Sequence, residues 1–204
     1  MQVLIVNIPS FSIEKERFLW YNFLINYMES AILLTDRYFM PDIYLNDIYE
    51  ITPEMLIERG IKAVLLDIDN TLVTYDDPKP TESVLNWLEA LKNVGISAAF
   101  ISNNHQERVE LFNSDLKFFA TWDSHKPSGK CYRAAMEFLG TDTTNTAVIG
   151  DQVFTDVWSA KRLGLFAILV KPIKDKTSLF FRSKRALEKP ILRRYRKKHG
   201  EKKK

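Results

Sequence analysis

The chain is poor in several things, and each shortage excludes a class of protein. Its 204 residues contain a single cysteine, Cys131. One thiol rules out an internal disulfide framework and fits a reducing compartment; Cys131 lies in a helical pattern and reads as a small core residue. No apolar run approaches the roughly 18 residues that a membrane-spanning helix needs. The run Val3-Leu4-Ile5-Val6 has no basic segment before it and is too short for a signal peptide. No internal repeat is visible, and the one low-complexity segment is the terminal stretch Arg193 to Lys204. What remains is ordinary for a folded domain: 46% apolar and 12% aromatic residues, enough for a core.

Charge is spread unevenly. The net charge is only +3, yet residues 171–204 carry fifteen Lys and Arg against three acidic residues, a net +12 that leaves −9 for residues 1–170. An acidic globule with a basic tail calls for an anionic partner, either phospholipid or nucleic acid. In the tail, Phe180, Leu187, Ile191 and Tyr195 can share a helical face ringed by basic residues, the pattern of a surface-bound amphipathic helix. Pro190 interrupts that pattern unless it starts a new helix. The last residues, beyond about Arg193, read as a disordered, solvated end.

Three segments follow: an N-terminal extension and arm over 1–50, a regular core over 51–172, and the tail over 173–204. In the first, apolar and aromatic residues from Glu14 to Leu34 recur at helical spacing. Such a helix packs on the core or lies at a membrane interface, and its few Lys and Arg weaken the second reading. Thr35 to Tyr49 reads as an irregular arm. From Thr52 onward strands and helices alternate. Helices fall near 52–60, 81–94, 106–113, 128–139 and 155–163, most of them stopped by glycine. Strands fall at 61–66, 96–101, 118–122, 146–149 and 166–170. This alternation predicts an α/β fold, a doubly wound parallel sheet with helices on both faces.

The strand ends carry the chemistry. Residues 63–66 are apolar, and two carboxylates follow at Asp67 and Asp69, with Thr71 after them. Two like charges side by side at a strand end require a cation between them, a shared proton, or both. Further polar residues sit at other strand ends or just before helices: Ser102 and Asn103, Lys126, Asp151 and Asp156. Alone, Ser102 and Asn103 are loop formers and Lys126 is a solvated lysine. Together they compose one pocket beyond the carboxyl ends of the strands, where such sheets bind ligands. Asp67 would attack phosphorus. Asp69 would protonate the leaving oxygen and then activate water. Ser102, Asn103 and Lys126 would hold and neutralise the phosphoryl group. Asp67, Asp151 and a backbone carbonyl at Asp69 would bind Mg²⁺, with Thr71 and Asp156 supporting them. His105, His125 and His199 read as surface residues.

These four stations resemble the motifs of the haloacid dehalogenase (HAD) superfamily: Asp67-Ile-Asp-Asn-Thr71, Ser102, Lys126, and Gly150-Asp151 through Asp156. The resemblance covers about residues 45–175. It implies the HAD-like core and, because Asp69 is present, phosphatase chemistry. The runs 101–105, 125–130 and 149–157 are similar to a capless group (subfamily IIIA) that includes phosphatidylglycerophosphate phosphatases. The gaps between stations are independently too short for a cap domain. The resemblance implies hydrolysis of phosphatidylglycerophosphate, a step towards cardiolipin; with the basic tail beside it, the expectation is a cytoplasmic protein peripheral to the inner face of the membrane. The residues alone leave two alternatives: the same chemistry on a nucleic-acid or soluble phosphate ester, or a non-catalytic RNA- or ribosome-associated protein. The first thirty residues and the basic tail do not map onto the group's pattern.

Overall fold

The computed structural model describes residues 32–174 and 179–200. The expected amphipathic stretch 14–34 lies outside them except for 32–34, which are helical; the run 3–6 lies outside as well. The chain divides between Arg37 and Tyr38 into two units. The larger, Tyr38–Lys204, holds the sheet and all the candidate site residues.

Residues 32–39 are helical (α1). The elements after it are β1 (Ile43–Leu45), α2 (Pro53–Ile57), β2 (Ala63–Leu66), α3 (Glu82–Asn93), β3 (Ser97–Ile101), α4 (Gln106–Asn113), β4 (Phe119–Thr121), α5 (Lys130–Leu139), β5 (Thr146–Gly150), α6 (Trp158–Leu163), β6 (Phe166–Val170) and α7 (Leu179–Lys198). The six strands form one parallel sheet in the order β1-β6-β5-β2-β3-β4. From β2 the chain builds outward through β3 and β4, then returns to lay β5 on the other side. The crevice between β2 and β5 is therefore the switch point of the sheet, where ligands bind.

β2 is buried along its whole length. Val64 and Leu66 enter one core layer with Trp87, Leu91, Val109 and Phe112 of α3 and α4. Leu65 enters the opposite layer with Tyr132 of α5, Ala160 of α6 and Ile191 of α7. Burial on both faces is why the strand reads as a continuous apolar run. The helices start where side chains can cap them: Thr52 accepts Met55 N–H and Thr81 accepts Val84 N–H. They stop where glycine turns left-handed, as Gly140 and Gly164 do after α5 and α6. Only a loop, α3 and β3 separate Thr71 from Ser102, and no cap domain interrupts the core.

Three segments depart from expectation. The arm over 35–49 contains β1, which adds an edge strand parallel to β6. Asp42 anchors it, accepting Ala167 N–H at 2.8 Å and pairing with Lys161 at 2.7 Å. Three residues after a proline are too few for periodicity to register. Secondly, a π-helical turn over Val153–Val157 precedes α6 and widens its first turn. Thirdly, the helix expected in the tail runs unbroken through Pro190 and continues to Lys198, past Arg193, where the sequence predicts a disordered end. Packing outweighs the lost hydrogen bond: Glu188, Ile191 and Tyr195 are buried, and Tyr195 Oη accepts Tyr44 N–H at 3.0 Å. Leu187, expected on that face, points outward instead.

Candidate active site

Asp67 continues β2 by donating its N–H to Ile149 O, which aims its side chain out of the β2/β5 crevice. The chain then turns sharply. Asn70 adopts φ +67, a conformation that Asn tolerates better than most residues, and donates its N–H to Val73 O. The turn brings Thr71 back, and its hydroxyl donates to Asp67 Oδ2 at 3.1 Å.

Lys126 is the electrostatic centre. Its ammonium lies 2.5 Å from Asp67 Oδ1 and 2.8 Å from Asp156 Oδ1, and its side chain is 2% exposed. Burial would lower its pKa, but Asp156 and Asp67 together overcome that and hold it well above its ordinary value. Asn103 fixes the position of this residue from β3, its Oδ1 accepting Lys126 N–H at 2.8 Å. Ser102 is buried at the end of β3, and its Oγ accepts Asn104 N–H. The π-helical turn after β5 swings Asp156 back towards Lys126. Gly150 allows this, because a Cβ there would collide with the Asp156 carboxyl.

Asp67, Asp151 and Asp156 each place one oxygen within 4.8 Å of the others. Burial raises the carboxyl pKa of Asp67, against the pull of Lys126 and with a further push from Asp156 and Asp151. Burial raises Asp151 likewise, opposed by Arg185. Three converging carboxylates, two of them, Asp67 and Asp151, with ionisation disfavoured by burial, are what a hard divalent cation relieves, and every donor is oxygen. The residues present therefore fit a metal ion.

Asp67, Asp69, Ser102, Asn103 and Lys126 line one cavity of about 200 Å³. Thr71 and Asp156 touch this set through Asp67 and Lys126. Asp151 sits behind the cavity, fully buried. The side chain of Asp69 is not in the carboxylate cluster, which takes Asp156 in its place. It is held instead by Arg108 Nη2 at 3.1 Å and Asn104 Nδ2 at 3.0 Å. His105, His125 and His199 are exposed, as expected, while Cys131 is only half-buried.

Sequence reasoning missed four contributors. Arg108 and Asn104 steady Asp69; Asn104 lies in the run 101–105, which assigns it no role, and nothing in the local pattern of Arg108 marks it. Lys184 and Arg185 come from α7. Lys184 lines the cavity and donates to Gln152 Oε1 at 2.6 Å. Arg185 pairs with the Asp151 carboxylate, donates to Asp151 O at 2.6 Å, and pairs with Glu188 at 2.9 Å. Their basic charge reads as the membrane- or nucleic-acid-facing ring of an amphipathic helix, and nothing local turns it towards Gln152 and Asp151.

The sequence profile of the family described as mitochondrial PGP phosphatase matches residues 26–174. The chain is 37% identical over 156 residues to Probable phosphatase YqeG of Bacillus subtilis, covering 76% of this chain and 91% of that protein. It is 26% identical over 177 residues to Phosphatidylglycerophosphate phosphatase 1, chloroplastic/mitochondrial, of Arabidopsis thaliana; that match covers 81% of this chain and 51% of the plant protein. A solved structure described as a putative HAD superfamily (subfamily III A) hydrolase from Legionella pneumophila aligns with a TM-score of 0.45 and 20% identity, over 62% of this chain and 75% of its own. The profile match spans most of the chain and all four motif stations, so the protein belongs to the mitochondrial PGP phosphatase family of the HAD superfamily and is a phosphomonoester phosphatase.

Proposed function

We propose that the chain removes the terminal phosphate of a membrane phospholipid, phosphatidylglycerophosphate, working at a membrane surface. The observation that carries the chemistry is Lys126 bridging Asp67 and Asp156 in the cavity lined by Asp69, Ser102 and Asn103. Among the described residues no cap domain is inserted between Thr71 and Ser102 or between Ser102 and Lys126, which leaves room for a large substrate. The family description and the name of the plant relative point to the lipid. None of the described helices is long and apolar enough to cross a membrane, so the reading is of attachment from one side.

A carboxylate oxygen of Asp67 attacks phosphorus, and the bond between phosphorus and the glycerol oxygen breaks. Asp69 gives its proton to that leaving oxygen. Arg108 and Asn104 orient Asp69 for the transfer. Asp69, now ionised, takes a proton from water, which attacks the phosphoryl group and frees Asp67. Ser102 Oγ accepts Asn104 N–H, so its own proton can be donated to a phosphoryl oxygen. The Lys126 ammonium offsets the charge that gathers on Asp67 and the phosphoryl group. Asp67 and Asp151, with the backbone carbonyl of Asp69, would hold Mg²⁺, and Asp156 would support them. When bound, the ion supplies charge neutralisation at the phosphoryl oxygens.

The test is phosphate release from phosphatidylglycerophosphate in neutral-detergent micelles, with Mg²⁺ or EDTA. Release that needs Mg²⁺ and vanishes in Asp67→Asn supports the whole reading. Release from an aryl phosphate but not from the lipid would keep the chemistry and discard the lipid.

A further inference from the structure

A groove of about 690 Å³ opens beside the site, between α7 and the C-terminal ends of β1 and β6. Four cations line it: Lys171, Arg182, Arg185 and Lys189. Its two carboxylates are already engaged, Asp151 by Arg185, and Glu188 by Arg185 and Val153 N–H. Arg182 and Lys189 are exposed and meet no carboxylate among the described residues. The floor is apolar, with Leu169, Ile173 and Leu192.

The groove and the catalytic cavity share a wall. Gln152 and Lys184 face the cavity, while their neighbours Asp151 and Arg185 face the groove. A molecule with one phosphate at Asp67 can therefore lay a second anionic group across α7. We propose that this groove is a headgroup subsite for an anionic glycerophospholipid: its cations take the phosphodiester and its apolar floor takes the start of the acyl chains. The inference rests on the lipid reading above and gives it a place. Charge complementarity selects an anion, and the apolar floor selects a lipid over a sugar phosphate. A single-stranded nucleic acid would need rings to stack on. Among the described residues the one aromatic lining residue is Tyr44, which already packs edge-on against Tyr195 and lies under Arg196.

The experiment compares wild type, Arg182→Gln/Lys189→Gln in the groove, and Lys197→Gln/Lys198→Gln at the far end of α7. Each is sedimented with phosphatidylglycerol–phosphatidylcholine vesicles at fixed salt. KM and kcat are then measured on phosphatidylglycerophosphate in neutral-detergent micelles and on an aryl phosphate. One cation near an anionic lipid counts for a factor of about five. The groove pair should raise the lipid KM by about 25-fold, with kcat and the aryl phosphate unchanged, and should weaken vesicle binding. The far pair should shift both far less. Ile173→Asp should raise the lipid KM alone. Equal effects of the two pairs, or none from the groove pair, overturn the subsite. So does an RNA affinity lost in the groove pair while vesicle binding persists. If wild type cleaves the aryl phosphate but not the lipid, the substrate reading fails by itself. Vesicle binding then decides the groove: it stands if only the groove pair loses binding, and falls otherwise.

Discussion

Replacing Lys126 by Met tests whether one ammonium holds the site together. Its Nζ contacts Asp67 at 2.5 Å and Asp156 at 2.8 Å, and the three side chains are 2%, 12% and 3% exposed. Methionine keeps the length and most of the volume but leaves two buried carboxylates without their cation. Removing one partner of a buried pair costs about 3–5 kcal/mol. Two pairs hang on this ammonium, so the loss should fall near the upper end, about 5 kcal/mol in EDTA. For a chain of this size that is a fall in Tm of roughly 10–20 °C. Thermal unfolding followed by circular dichroism near neutral pH reads it directly. Adding Asp156→Asn should restore about 2 kcal/mol, because the second change removes a charge the first has stranded. Mg²⁺ should recover part of the loss, since a divalent cation relieves the same repulsion. Turnover should still drop about 10²–10³-fold in the single variant, as removal of a preorganised charge does. A stability loss under about 1 kcal/mol, or strict additivity of the two substitutions, would refute the argument.

Three other outcomes follow from named contacts. Gly150→Ala should cost about 1–3 kcal/mol in chemical denaturation and lower activity, because the new Cβ pushes Asp156 off Lys126. Tyr195→Phe should cost about 1–3 kcal/mol in the same assay, since it leaves Tyr44 N–H without its acceptor and loosens α7 from β1. Asp69→Asn should slow the lipid about 10²–10⁴-fold, and a phosphate with an aryl leaving group, which needs no proton, should suffer much less in its first step. Equal losses on the two substrates would remove Asp69 from the role of acid.

The core was legible because its signals are local. Each strand from β2 to β6 is a short apolar run, and Thr52, Thr81, Gly140 and Gly164 mark helix ends within one turn. Asp67, Asp69 and Asp151 stand at strand ends, where parallel sheets collect function, so their order along the chain maps onto one crevice. The missing parts depend on distant partners. β1 is only Ile43-Tyr44-Leu45, and it becomes a strand because β6, 125 residues away, offers its edge. Arg108 meets Asp69 across 39 residues and Arg185 meets Asp151 across 34. Pro190 argues locally against one continuous helix. The burial of Glu188, Ile191 and Tyr195 decides otherwise, and no window of sequence contains the surfaces that bury them.

The central claim is that Asp67 carries the phosphoryl group, and trapping that bond tests it most directly. The protein is mixed with substrate and Mg²⁺, quenched in acid, digested and mapped by mass spectrometry. A hydroxylamine-labile phosphoryl group on Asp67, absent in Asp67→Asn and in EDTA, is the predicted result. A phosphoryl group found on another residue, or full turnover by Asp67→Asn, would contradict the account.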